Sequence, residues 1–267
     1  MLRTLGRYWQ LLQLLTKIGL MRQMAYRPHF FMMISGKVIR MGLLLFFYQA
    51  IFLKVDRIGT WTYEQVLLLF ATFQLLDYLM SITFQRNLAF ALPARIRTGE
   101  LDAMMLLPVN LLFLTSLENI DVLDFFSSLP CFALLGYVFY RLQFAFTWVQ
   151  ALTYLLLLIN ALLFLFAVIL MIAAVSFWTT QSYGLARIFD NILKVGRYPL
   201  DIFEGFWKLL FIYLLPLILI AQLPSQALLI MLTPLHLAYA FGVTAVFLAL
   251  AMTIWKTGLK AYTSAST

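Results

Sequence analysis

Charge is scarce in this chain. Only 11% of its 267 residues are Asp, Glu, Lys or Arg, against about 25% in soluble proteins. That excludes a soluble enzyme and a disordered chain. Cysteine is scarcer still: Cys131 stands alone, which rules out a disulfide scaffold. Its neighbours Pro130 and Phe132 offer a thiolate no stabilising charge. The two histidines, His29 and His236, lie far apart and have no Cys or carboxylate at ligand spacing, so neither a metal nor a redox cofactor is expected. Nucleotide and hydrolase motifs are missing as well. Gly36-Lys37 lacks the earlier Gly and the following Ser or Thr of a phosphate loop, and neither G-x-S-x-G nor H-E-x-x-H occurs.

What the chain has instead is apolar length. Hydrophobic residues make up 64%, against roughly half in a soluble domain. The class is an all-α polytopic membrane protein. Residues 1–28 read as an amphipathic helix lying in the interface. Arg3, Arg7, Gln10, Gln13 and Lys17 share one face, with Leu5, Tyr8, Trp9, Leu12 and Leu15 opposite. The same polar residues, with Arg22, interrupt the apolar stretch that a cleavable signal requires. Residues 29–260 then read as one domain of six transmembrane helices, followed by a tail at 261–267. The expected spans are 30–53, 61–92, a third beginning near 121–124 and ending at 140, 146–175, 209–221 and 235–255. Between them fall a polar loop at 93–110, a second at 176–208, and a short re-entrant piece at 222–234.

Nineteen Lys and Arg face eleven Asp and Glu, a net charge of +8. Six spans put both termini on one side. Placing the two polar loops there as well gathers sixteen of the nineteen basic residues, leaving only Lys54, Arg57 and Arg141 opposite. The positive-inside rule makes that side the cytoplasm. Topology thus accounts for the basic charge, and no nucleic-acid partner is expected.

Three acids fall within or beside the spans: Asp77, Asp121 and Asp124. Such groups are paired or functional. One reading pairs them with Lys37, Arg40 or Arg86. The other makes them a substrate path or proton relay, which would favour a lipophilic cation. Glu118, Asp121 and Asp124 recur every three residues, so on one helix they would drift apart rather than cluster.

The 93–110 loop contains Arg97-Thr98-Gly99-Glu100-Leu101-Asp102 and, further on, Pro108-Val109-Asn110. This resembles the cytoplasmic loop of one branch of the type-2 ABC exporter permeases. Arg197-Tyr198-Pro199-Leu200-Asp201 and the Leu215-Pro216 and Leu223-Pro224 pairs are similar to further pieces of that branch. The resemblance implies a permease subunit of an ATP-driven exporter, moving an amphiphilic or lipophilic substrate, in a bacterial inner membrane. It would work with a second copy or a related permease and with a soluble ABC ATPase that carries the ATP and Mg. Arg97, Gly99, Glu100, Leu101, Asp102 and Met105 would contact that ATPase through a coupling helix. Two other functions stay open on the residues alone: an ion-coupled secondary transporter, and an integral-membrane lipid-modifying enzyme using Asp77 or Asp124.

Overall fold

The computed structural model describes residues 2–24, 27–142, 147–179, 183–230 and 232–262. The side chains of Arg3, Leu5, Arg7, Arg22 and Arg27, and the tail from 263, lie outside the described residues. Among those described there is no strand, and five helices are long and apolar enough to cross a membrane.

Helix α1 (Leu2–Met24) leads into α2 (Arg27–Phe52). α3 (Tyr63–Thr83) starts at Thr62, where Thr62 and Gln65 form a capping box. It is the central helix: residues from Val66 through Leu76 are all buried, as befits a helix that is apolar all round. After α3 a π-helical turn, Asn87–Ala91, widens the helix before α4 (Leu92–Thr98) and α5 (Glu100–Met105). Much of the expected loop is therefore helical, and Pro93 sits in the first turn of α4, where its missing N–H matters least.

The third apolar stretch breaks into α6 (Leu111–Leu117), α7 (Val122–Ser127) and α8 (Leu129–Leu142), with a crossing at Val122–Leu142. The break at 118–121 has a cause on α3. The Asn87 amide donates to the carbonyls of Ser116 (2.8 Å) and Asn119 (3.0 Å) and accepts from the Asn119 N–H (3.2 Å). The Asp121 N–H reaches the Ile82 carbonyl (3.0 Å). Non-helical backbone at this depth survives only with such partners.

α9 (Trp148–Ala174) begins with a second capping box, Thr147 with Gln150. α10 (Tyr183–Leu193) follows, then α11 (Gly205–Leu209), α12 (Gln222–Leu229) and the long α13 (Pro234–Ala261). α9 and α13 run parallel, since Asn160 donates to the Ala240 carbonyl (3.3 Å), Phe164 packs on Phe247 and Phe177 on Trp255.

One end of the bundle, here called the loop end, collects α1, the end of α13 and α4–α5. Tyr8 accepts from the Asn110 N–H (3.1 Å) and packs edge-on against Phe113. Tyr262 packs on Phe177. Because α9 and α13 are parallel, the chain must cross once between them. The expected crossing at 209–221 is not a continuous helix: a π-helical turn, Leu210–Leu214, ends at Leu215-Pro216. The crossing is instead made by the segment read as a second loop. Tyr183 stacks on Phe90, Gln85 donates to Asp190 (2.9 Å), Arg197 lies over Phe73 (5.6 Å), and Asp201 accepts from Trp61 (3.0 Å). Residues 183–201 thus run along α3 from its loop end to its opposite end. Gly205–Leu214 and α12 then lie at the opposite end, where Gln150 donates to the Leu228 carbonyl.

This corrects the charge partition. Arg197 sits beside the middle of α3, and Lys208 pairs with Asp201 (3.6 Å) at the opposite end. The sequence pattern misled because the crossing is short and charged, while the apolar stretch after it is folded back on itself.

Candidate functional site

At the loop end of α3, four charged groups converge. Lys37 on α2 pairs with Asp124 on α7, and Arg86 pairs with Asp121. Arg86 also approaches Asp124 (3.9 Å), and Ser81 donates to it. The break at 118–121 explains the convergence. Asp121 is the N-cap of α7, and its carboxylate accepts from the Asp124 N–H (3.3 Å). The expectation that these acids drift apart assumed an unbroken helix, and it fails for that reason. Both carboxylates are almost fully buried. A buried acid is tolerated only when paired, and Lys37 and Arg86 supply one cation each.

Asp77 lies one to two turns further along α3 with Arg40 (3.9 Å). Next to the loop, Arg95 pairs with Glu118. Each of the three acids singled out in the sequence therefore has a basic partner. An acid already neutralised does not attract a lipophilic cation, so the preference drawn from these residues loses its support.

The loop residues divide sharply. Gly99 adopts φ +77°, the left-handed region, and joins α4 to α5 where a side chain would be strained. Arg97, Glu100 and Met105 are exposed. Leu101, expected to meet the ATPase, is completely buried and anchors α5 to the core. Asp102 is half-buried beside Tyr262. Burial first, and then the Asp102 carboxylate, push the Tyr262 phenol above its ordinary range. Leu106 is 86% exposed, and Leu107 and Pro108 are exposed beside it. Leu106 and Leu107 were not singled out in the sequence, although two leucines between a charged helix and a proline turn are a legible signal.

Elsewhere, a cavity of about 610 Å³ opens between α3, α6 and α9. Leu79, Phe84, Phe113, Leu162 and Phe166 line it. It is almost wholly apolar and presents no charged group.

An all-α bundle with five membrane-length helices among the described residues and a helical elbow bearing exposed Arg97 and Glu100 matches the expected permease design. The family model described as ABC-2 family transporter protein matches residues 38–266. The chain belongs to the ABC-2 transporter family. It is thus the membrane component of a transporter. The match covers the elbow and four of the five membrane-length helices whole, and leaves out α1 and the first turns of α2. No curated protein and no solved structure matches the chain. Within this ABC-2 permease, the Lys37–Arg86–Asp121–Asp124 cluster is neutral and fully paired. Its geometry suits holding α2, α3 and α7 together at the loop end.

Proposed function

We propose that this ABC-2 permease exports an amphiphilic or lipophilic substrate from the cytoplasm or inner leaflet, driven by ATP hydrolysis on a separate soluble subunit. A second copy, or a related permease, completes the path. The membrane is a bacterial inner membrane, with both termini and the α4–α5 elbow in the cytoplasm. The excess of basic residues at the loop end supports that side: Lys17, Arg86, Arg95, Arg97, Arg187, Lys256 and Lys260.

The observation that carries the proposal is the build of the elbow. Its outer surface offers Arg97, Glu100, Met105, Leu106 and Leu107 to a partner. Charged groups give such a contact register, and exposed Leu and Met give it adaptable apolar area. Its inner surface is fixed by Leu101 and by the place of Asp102 against Tyr262. A push on the outer surface therefore moves the loop ends of α3 and α13 as one piece. ATP and Mg belong to the partner in this reading.

Affinity purification from the native membrane tests it. A soluble ATPase should co-purify at one copy per permease chain. Glu100→Arg with Met105→Glu should still insert, yet recover much less ATPase. A permease that purifies without any ATPase would sink the proposal. Unchanged recovery with the double variant would remove the elbow from it.

A further inference from the structure

A surface that faces lipid carries few charges, because an ion at bilayer depth is costly unless it meets water or protein. Most of this molecule obeys. The exposed side chains of α9 and α13 include Leu155, Ile159, Leu163, Val246 and Leu250. The surface shared by α2, α3 and α10 does not.

On α10, Arg187, Asn191 and Lys194 are exposed, and Asp190 is half-buried. Their spacing of three and four places them in one row along the helix. Arg197 continues the row to the middle of α3, over Phe73. Beside it, Arg40 is 55% exposed and Asp77 30% exposed. Asp77 lies within electrostatic reach of Arg40, Arg197, Asp190 and Lys37, so these groups form one continuous strip. It runs from the loop end to half the depth of the membrane.

The strip is unbalanced. With Lys37 held by Asp124, the cations Arg40, Arg187, Lys194 and Arg197 face only Asp77 and Asp190. Asp77 is held by Arg40, and Asp190 accepts from Gln85. Among the described residues, no ion pair engages Arg187, Lys194 or Arg197. Lys194 donates to Asn191 (2.9 Å), and Arg197 to the Lys194 carbonyl (3.0 Å). Cations along this strip, with no carboxylate in direct contact and partly open, require water or an anion.

We propose that the α2–α3–α10 strip lines a water-accessible path from the loop end, and that its positive excess selects substrates with an anionic group: a carboxylate, phosphate or sulfate on an apolar body. That the path serves export rests on the permease reading above. The strip's wetness and charge selectivity do not.

Thiol labelling in native membranes tests the strip directly. In a Cys131→Ala background, Asn191→Cys is treated with two methanethiosulfonates of similar size, one carrying a sulfonate and one a trimethylammonium. Leu155→Cys on α9 serves as the lipid-facing control and should stay unlabelled. Asn191→Cys should react, with the sulfonate-to-ammonium rate ratio at least about tenfold above that of a small thiol in solution, as a cleft of one charge sign concentrates counter-ions. Lys194→Gln with Arg197→Gln should return the ratio towards the solution value. Gly184→Cys, two turns earlier and also exposed, gives the same reading should Asn191→Cys fail to insert. No labelling by either reagent would mean that lipid or a second protein seals the strip. An unshifted ratio would mean a wet surface without anion preference. Either result overturns the proposal. Anion-selective labelling of a chain that purifies without an ATPase would keep the strip and remove only the exporter reading.

Discussion

Asp121 is 2% exposed and holds the Arg86 guanidinium. Removing Asp121 takes away this partner and the N-cap of α7, a loss of roughly 1–2 kcal/mol, because Arg86 is half-exposed and can regain water. Asp121→Ala should therefore lower the thermal midpoint of the solubilised protein clearly. An unchanged midpoint for Asp121→Ala would show that the pair is not what holds α7 to α3. Gly99 makes a different demand. At φ +77° a β-branched side chain costs roughly 1–2 kcal/mol. Gly99→Val should leave insertion intact while reducing substrate-stimulated ATP hydrolysis, because the elbow is distorted and the core is not. Full stimulation in that variant would separate the elbow's shape from coupling. Gly99 and the three acids were all visible in the sequence as positions of interest. The partners of the acids were visible only as alternatives, since Lys37, Arg40 and Arg86 lie on other elements.

Among the elements, the break at 118–121 and the π-helical turn at Asn87–Ala91 are one device. The turn places Asn87 against the break, and Asn87 satisfies three backbone groups there. Asn87→Leu leaves those groups unpaired at a buried site, at a cost of about 3 kcal/mol. The expected result is a lower thermal midpoint together with faster amide exchange over 116–121. Exchange unchanged in that segment would refute the assignment. The interruption of the third span was legible from its length and from the run of acids. What replaced the helix there was not, because the partner is an asparagine thirty residues away on another helix. α10 shows the converse. Its charges argued for a loop, yet Ala186, Phe189 and Leu193 bury one face against the bundle, and the charged face remains outside.

For the whole molecule, the path of 183–229 fixes which residues share an end. Lys208 belongs with Asp201 and Trp61, opposite the elbow. A thiol placed at Lys208→Cys should react with an impermeant maleimide from the outside of intact cells, and Ala103→Cys on α5 only after the membrane is opened. Labelling of both from the same side would restore the second cytoplasmic loop and undo the crossing by α10. The placement of the termini does not depend on that choice, because Tyr8 and Tyr262 both meet the elbow segment.

The sequence by itself determined the class, five of the crossings, the common end of both termini and the family. The first three follow from apolar length and from the bias of basic residues, and the family from the resemblance carried by the 93–110 motif; all are properties of the chain read in order. The tertiary structure alone decided the fifth crossing, the pairing of every intramembrane acid, and the burial of Leu101 beside the exposed Glu100. Those depend on which helices lie side by side, and a charge's meaning at bilayer depth is set by the neighbour it meets rather than by its place in the chain.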